Sequence, residues 1–484
     1  MRRKFILNLI LVVFLNLLVK PFWVFGIDRT VQNVVGAEQY GFYFALFNFS
    51  LILNILLDLG ITNYNNRNIS QNEAGLTLNF SNIFTLRILL GVFYFVVSMG
   101  AAWLCNYSRH QLAMLMFLTF NQFLLALILY LRSNLAGLQL FKTDSLVSVL
   151  DRVVMILICS LLLWGNVTSR PFRIEWFVYA QTGAYLLTAA VAFVLVLVHA
   201  PSFRPTFSWQ FSAGVLRRSL PFALLTLLMS LYNRIDSVML ERLLPDGSVQ
   251  AGIYAQAFRI SDACCMFALL FANLLLPMFS RMIKQRENVA GLVKVSTVAM
   301  AVPVVAGAAA CVFYRGQVMD LLYSSHVAES APIFALLISG FVAISMVYIY
   351  GTLLTANGSL RQLNIVAFGG MVFNIAANFV MIPRYGALGA AIVSLATQSL
   401  TAFAQIAIAF SIFGLKFRGH TQFMLIIYVL GIAAFGFAST HLPFGWSCNA
   451  LIMLAASGLW AFVLRLVRLA DFVGLLKMKG KENL

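Results

Sequence analysis

Long apolar runs, broken by short polar or turn-forming segments, follow one another along the whole sequence. A helix needs about 20 apolar residues to cross the hydrocarbon core of a bilayer. The pattern therefore predicts fourteen membrane-spanning helices. The predicted spans are 5–26, 40–62, 79–103, 112–136, 146–165, 175–199, 217–240, 250–280, 291–313, 330–356, 363–383, 386–414, 421–440 and 447–468. Twelve or thirteen spans stay open, because the break near residues 383–386 and the last two runs are the least distinct.

Composition supports a membrane protein with short connections. Of the 484 residues, 61% are hydrophobic and only 10% are charged, whereas about a quarter of a soluble domain is charged. The first apolar run continues to Gly26 without a small-residue cleavage site, so we interpret it as a retained helix and not as a secretory signal. The six cysteines are scattered and form no C-x-x-C motif, which favours buried apolar roles over disulfides or metal binding.

The net charge of +17 carries a topology signal. With the N-terminus in the cytoplasm, 21 of the 33 Lys and Arg residues fall inside and seven fall outside, as the positive-inside rule requires. We therefore expect both termini to be cytoplasmic and no nucleic-acid partner. The other five cations fall within predicted helices: Lys20, Arg87, Arg152, Arg234 and Arg259.

A faint internal repeat links the second and eighth predicted spans. The segments GFYFALF from Gly41 and GIYAQAF from Gly252 share Gly, Tyr and Phe at an offset of 211 residues. Their equivalent positions predict two parallel six-helix lobes and two extra C-terminal helices, around a central cavity suited to alternating access. The expected division is an N-terminal lobe at 1–200, a cytoplasmic linker at 201–216, a second lobe at 217–414, and two further helices with a basic cytoplasmic tail at 415–484.

Charges within spans are the candidate functional residues, since each costs roughly 2.5–3.5 kcal/mol on insertion scales and needs a partner or water. Arg259 and Asp262 are three residues apart and predict an ion pair on one helix face. Arg234 and Asp236 point about 200° apart, so they cannot pair with each other. The alternative interpretation, interhelical ion pairs or snorkelling side chains near span ends, is equally open for Asp28, Arg29, Arg132, Asp151 and Arg152.

Several motifs of enzymes are absent from the sequence. It contains no G-x-x-x-x-G-K-[ST] phosphate loop, no H-E-x-x-H and no G-x-S-x-G. The longest outside connection, 314–329, is too short to shape an ordinary active site. We therefore expect a protein that is not an enzyme and has no cofactor or metal.

Short motifs along the chain resemble polysaccharide-transporter (Wzx-type) flippases of the MOP exporter superfamily. They are GAEQYGFY at 36–43, LDLGI at 57–61, RNIS at 67–70, GIYAQAFRI at 252–260 and PRYGALGAA at 383–391. The resemblance implies a V-shaped, MATE-like bundle of two six-helix lobes and two additional helices. It also implies movement of undecaprenyl-diphosphate-linked oligosaccharides across the bacterial inner membrane, for O-antigen, capsule or exopolysaccharide synthesis.

On this resemblance the cations would neutralise the diphosphate, because arginine stays charged in a low dielectric and binds phosphate with two donors. The expected substrate-binding residues are Arg87, Arg234, Arg259 and Lys20. The expected coupling or gating residues are Asp236, Asp262 and Asp58. Expected partners are the lipid-linked glycan, the bilayer, a coupling proton or sodium ion, and the polysaccharide polymerase machinery.

Three alternatives are also compatible with the sequence. A MurJ-type lipid II flippase would also be cationic and have fourteen spans. A MATE-type drug exporter would share the fold, but it would favour an acidic, apolar pocket, which the arginines oppose. A membrane-embedded polymerase or ligase would be an enzyme that turns over the glycan bond.

Overall fold

A computed structural model of the chain describes residues 19, 21–59, 61, 74–138, 140–165, 167, 170–199, 208–415 and 419–466. All regular secondary structure in these ranges is helical, which confirms the predicted all-α class. A π-helical segment, Phe22–Asp28, comes first. Fourteen α-helices follow it: α1 (Arg29–Ile52), α2 (Ile55–Asp58), α3 (Ala74–Leu104), α4 (Arg109–Gly137), α5 (Phe141–Trp164), α6 (Ile174–His199), α7 (Trp209–Leu243), α8 (Gly247–Lys284), α9 (Ala290–Phe313), α10 (Arg315–Leu322), α11 (Val327–Ala356), α12 (Leu360–Phe413), α13 (Gly419–Thr440) and α14 (Trp446–Val463).

Eleven helices in the described part of the chain are long and apolar enough to cross a membrane: α3 to α9 and α11 to α14. Large apolar side chains stand out from them, among them Trp103, Val198 and Phe403 at 71%, 72% and 73% exposure. So much exposed apolar surface is unfavourable in water but is compatible with lipid tails. The protein is therefore a multi-pass membrane protein.

The difference between eleven candidate spans and fourteen predicted spans has three sources. The first predicted span falls mostly on residues outside the described ranges. Helix α1 covers much of the second, but its polar residues, such as Arg29, Gln32 and Glu38, lower its hydropathy. Helix α12 contains two predicted spans in one continuous helix assignment.

The predicted boundaries of the first two spans were wrong. Helix continues past residue 26 and is interrupted at Gly36, where φ is 80° and ψ is 171°. Helix α1 then ends at Ile52 and not at residue 62. The prediction placed a break at polar residues that in fact lie inside the helix, where their side chains have hydrogen-bond partners. The Gln32 side chain, for example, donates to the carbonyl oxygen of Gly252 at 3.0 Å.

Helix α12 is bent at the position where the sequence predicted a break. Its 54 residues would be about 80 Å long if straight, far more than the roughly 30 Å core of a bilayer. Gly386 interrupts the helical backbone with φ 57° and ψ −137°, three residues after Pro383. The two parts of α12 correspond to the predicted spans 363–383 and 386–414.

The chain divides into two compact units, Met1–Ala255 and Gln256–Leu484, and the division falls within α8. In the first unit, Phe80, Tyr130, Val147 and Val196 from α3, α4, α5 and α6 form an apolar core. Helix α7 begins at Trp209, within the predicted linker, and packs against α1. The predicted lobes themselves stay a prediction.

The second unit joins its two C-terminal helices to α9. The Tyr428 hydroxyl on α13 donates to the carbonyl oxygen of Val302 at 3.0 Å. The Tyr314 hydroxyl, at the end of α9, donates to Ser439 Oγ at 2.8 Å. Met453 of α14 completes the same apolar cluster. Helices α13 and α14 are therefore packed parts of this unit.

The conformation of Gly386 predicts a stability defect in Gly386→Ala. A residue with a Cβ is strained in this region of the Ramachandran plot, so we expect the free energy of unfolding to fall by about 1–3 kcal/mol. The check is a lower apparent melting temperature in detergent. Gly369→Ala is the control, because it lies on the same helix with open space around its Cβ. Equal melting of Gly386→Ala and the parent protein would contradict the prediction.

Candidate functional site

Arg87 and Asp58, two of the predicted site residues, form an ion pair in the first unit. Arg87 lies on α3 and is only 2% exposed, whereas the Asp58 side chain is 32% exposed. The guanidinium also donates to the carbonyl oxygen of Leu57 at 2.7 Å. It lies over the Tyr130 ring of α4, 5.3 Å from the centroid. A buried positive charge is thus bound by α2 and α4.

The short helix α2 explains why these acceptors meet the guanidinium. Asp58 is its last residue, and Leu59 then adopts a left-handed conformation with φ 44°. Carbonyl groups in the last turn of a helix have no partner within it, and cations are favoured at that end. The Leu57 carbonyl and the Asp58 carboxylate therefore both present negative charge to Arg87.

Arg234 brings a second positive charge into the first unit. It lies on α7 and is half-buried. Its Nη1 donates to Oδ1 of Asn48, a buried residue of α1, at 3.1 Å. A guanidinium keeps its charge when poorly solvated and offers a planar fork of donors that matches phosphate. The contact also joins α1 to α7.

Asp236 is the most deeply buried of the three predicted coupling or gating residues, at 1% exposure. Its Oδ2 accepts a hydrogen bond from the Tyr254 hydroxyl of α8 at 3.0 Å. The predicted separation of Arg234 and Asp236 by about 200° around the helix stays a prediction.

The remaining predicted site residues are placed elsewhere. Arg259 and Asp262 lie on the part of α8 that belongs to the second unit, and both are half-buried. Their ion pair stays a prediction. Gln256, on the same helix, is buried and donates to the carbonyl oxygen of Ser325 at 3.2 Å. Lys20 lies outside the described residues.

Sequence reasoning missed the partners of a second polar cluster in the first unit. The Tyr40 hydroxyl lies 3.0 Å from both carboxylate oxygens of Asp28 and donates to that carboxylate. The guanidinium of Arg152, on α5, lies 5.3 Å from the ring centroid of Trp23 and 3.6 Å from Asp151. The twelve residues from Asp28 to Tyr40 include the break at Gly36, so helical spacing could not indicate this pair.

The two copies of the sequence repeat meet in the structure. A Cβ added at Gly41 would overlap the Ser248 carbonyl oxygen and the backbone of Gly252. A Cβ added at Gly252 would overlap the Ala37 carbonyl. The backbones of α1 and α8 therefore touch at the matched glycines. The repeat revealed these positions, but it gave no sign that the copies contact each other.

A metal centre finds no support in the described ranges, where no group of three His, Cys, Asp or Glu side chains is arranged to hold an ion. The side chains of the site that the structure describes form an ion pair, a hydrogen bond and an aromatic contact. Two buried or half-buried arginines, Arg87 and Arg234, bring positive charge into the first unit.

Comparison with known sequences identifies the family. Residues 9–283 match the family model described as polysaccharide biosynthesis protein, and the match spans more than half of the 484 residues. The chain belongs to this family. Arg87 and Arg234 both fall within the matched range. No curated protein shows significant sequence similarity to this chain.

Several solved transporter structures are similar in fold to this chain. The lipid II flippase MurJ in an inward closed conformation is similar with a TM-score of 0.72 and 13% identity, over 96% of this chain and 100% of MurJ. An inward-facing multidrug resistance MATE transporter of the MOP superfamily has a TM-score of 0.61 and 14% identity, over 81% and 94% of the two chains. A MOP superfamily transporter from Pyrococcus furiosus has a TM-score of 0.55 and 13% identity, over 84% and 94%. At these identities the similarity establishes the fold alone.

The ion pair predicts strong coupling between substitutions at Arg87 and Asp58. Asp58→Asn leaves a buried guanidinium without its carboxylate, so we expect a loss of about 3 kcal/mol in the free energy of unfolding. Arg87→Gln leaves a partly exposed carboxylate and should cost less. The double variant should be more stable than the sum of the single effects predicts, with a coupling energy of about 1–3 kcal/mol. Thermal unfolding of all four proteins in detergent measures this cycle, and additive effects would contradict a direct pair.

Proposed function

We propose that this protein is a flippase that moves undecaprenyl-diphosphate-linked oligosaccharide repeat units across the bacterial inner membrane. The repeat units then serve the synthesis of O-antigen, capsule or exopolysaccharide. The match of residues 9–283 to the polysaccharide biosynthesis protein family carries the proposal. The fold of a lipid II flippase supports it, because that fold already accommodates a protein named for moving a lipid-linked precursor.

The arginine chemistry of the first unit is compatible with this substrate. A diphosphate carries negative charge that lipid tails cannot solvate, so a protein that moves it must supply positive groups within the membrane. Arg234 is suited to the task because it is half-buried, charged and hydrogen-bonded to the neutral amide of Asn48. In the proposal, Arg259 and Lys20 bind the diphosphate as well.

Arg87 has a gating role in the proposal, and Asp58 binds it in this structure. The diphosphate would replace Asp58 as the anion on Arg87, and the released carboxylate would allow α2 to move. Asp58 then acts as the gating residue. Asp236 or Asp262 would carry a coupling proton or balance an arginine between transport states.

A lipid II flippase is the second candidate, favoured by the fold similarity to MurJ over the full length of that protein. Both candidates bind a lipid-linked diphosphate, so the arginines do not distinguish them. The two candidates differ in the glycan that the lipid carries. A drug exporter is less compatible, because buried arginines oppose the binding of cationic drugs.

Deletion of the gene provides the first test. Loss of the proposed flippase should leave single lipid-linked repeat units on the cytoplasmic face and remove the surface polysaccharide. Loss of a lipid II flippase should instead accumulate the peptidoglycan precursor. Loss of a polymerase should leave single repeat units displayed outside. Extraction of lipid-linked glycans, with sidedness measured by an impermeant glycan-modifying enzyme, distinguishes these outcomes.

Arg234→Gln should reduce restoration of surface polysaccharide in the deletion strain by about 10-fold to 100-fold, because a charged hydrogen-bonding group is worth roughly 1.5–3 kcal/mol. Arg234→Lys should restore an amount of surface polysaccharide between those of the parent protein and Arg234→Gln, since lysine keeps the charge and loses the planar fork. Arg315→Gln removes an exposed arginine and is the matched control. Polysaccharide is measured at equal protein abundance.

Replacement of all three arginines, Arg87, Arg234 and Arg259, by glutamine in one protein provides the strongest form of this test. Normal surface polysaccharide in that triple variant, at normal protein abundance, would refute the assigned role of the arginines. It would leave the deletion result, and therefore the transport class, unaffected.

A further inference from the structure

Exposed basic residues gather at one end of the second unit, where α8 ends and α9 begins. Arg281 and Lys284 lie in the last turn of α8, Arg286 follows that helix, and Lys294 lies in the first turns of α9. All four side chains are exposed. A single acidic residue, Glu287, lies among them in the sequence. This end of the unit therefore carries a concentrated positive charge that the proposed diphosphate site does not use.

Helix α14 brings a further arginine to the same end. The Tyr314 hydroxyl, where α9 ends, donates to Ser439, and α14 begins a few residues after Ser439. Because α14 packs against α9, it runs back along that helix toward its start. Arg465 follows the end of α14 and is exposed. We call the resulting set the basic rim: Arg281, Lys284, Arg286, Lys294 and Arg465.

Two residues of the basic rim have a backbone conformation that is unfavourable for arginine. Arg286 and Arg465 are left-handed, with φ of 59° and 54°. In both turns the next N–H donates to a carbonyl oxygen five residues before it, at 2.8 Å after α8 and 3.0 Å after α14. Glycine is the usual residue at this position of a helix end, because it has no Cβ. Since the turns favour glycine, arginine at both positions indicates a role for the side chain itself.

Exposed apolar side chains lead along α8 to the basic rim. Leu270, Leu274 and Met278 are exposed and follow one another at a spacing of four residues, which places them on one face of the helix. Arg281 continues that face one turn further on. The last two residues of α14, just before the turn that holds Arg465, are also apolar and exposed. A phospholipid has the same order of chemistry, with apolar chains below a charged phosphate.

The structure assigns a ligand to the basic rim, namely an anionic phospholipid, with its phosphate on the arginines and its acyl chains along the exposed face of α8. Arginine suits the phosphate because its planar fork offers two donors at once. With the orientation that the positive-inside count predicts, the rim lies at the cytoplasmic leaflet, whose anionic lipids attract basic segments beside spanning helices. The inference goes beyond the proposed function, since no residue of the rim belongs to the proposed diphosphate site.

Lipid titration of the purified full chain tests this assignment. Native mass spectrometry in a neutral detergent measures the affinity for phosphatidylglycerol, which is anionic, and for phosphatidylcholine, which has no net charge. We expect the parent protein to bind phosphatidylglycerol at least about tenfold more tightly, because several basic side chains meet its headgroup. Equal affinities for the two lipids would overturn the assignment.

Replacement of both left-handed arginines by glycine separates lipid binding from folding. The variant Arg286→Gly with Arg465→Gly should bind phosphatidylglycerol about 25-fold more weakly, at about fivefold for each arginine. Without lipid it should unfold at the same temperature as the parent protein or higher, because glycine is favoured in this conformation. Asn106→Gly is the matched control, since Asn106 is also exposed and left-handed, with φ of 55°, beyond the end of α3. It should leave the lipid affinity unchanged.

Competition distinguishes the phospholipid from other phosphate ligands. Neither inorganic pyrophosphate nor undecaprenyl diphosphate should displace phosphatidylglycerol from the basic rim at equal concentration. Displacement by pyrophosphate would reduce the rim to a general anion site, and displacement by undecaprenyl diphosphate would make it a site for the proposed substrate. Either result, or an unchanged phosphatidylglycerol affinity in the double glycine variant, would overturn the assignment. Failure of the proposed function would appear in the deletion strain and would leave these affinities unaffected.

Discussion

Charged and hydrogen-bonding groups within an apolar helix bundle need partners from the protein itself, because lipid tails supply none. The first unit meets this requirement in several ways. The Arg87 guanidinium is bound by a carboxylate, a helix-end carbonyl and an aromatic ring. The Asp236 carboxylate accepts from a tyrosine hydroxyl, as does that of Asp28. These partners come from different helices, so each satisfied group also fixes how two helices pack.

Close approach of helix backbones is the second source of order in this unit. Gly41 and Gly252 bring α1 against α8 more tightly than any side chain would allow. At the same end of the unit, Glu241 accepts a hydrogen bond from Gln111, and Arg242 donates to the carbonyl oxygen of Cys105. Buried ion pairs resist separation, since they leave an uncompensated charge when broken. Glycine contacts and bonds at helix ends leave no uncompensated charge when they separate.

The apolar pattern predicted most helices well, as α3, α4, α6 and α9 show. Their boundaries are set by hydrophobic length and by turn residues, both of which are local. The prediction failed around Gly36 and Ile52, because polar residues of α1 are satisfied by groups distant in sequence, such as the Gly252 carbonyl that binds Gln32. The break at Gly386 was predictable, because Pro and Gly limit the backbone locally.

Residue types and their order along the chain determined that the protein crosses a membrane many times, which charges lie within its helices, and which short motif recurs. They did so because hydropathy, helical period and backbone freedom depend on neighbours in sequence. Only the tertiary structure decided that Asp58 binds Arg87, that Asn48 binds Arg234, and that the repeat copies touch at their glycines. The physical reason is that these partners lie on different helices. Their pairing depends on how the helices pack, which involves contacts between positions 29 to more than 200 residues apart.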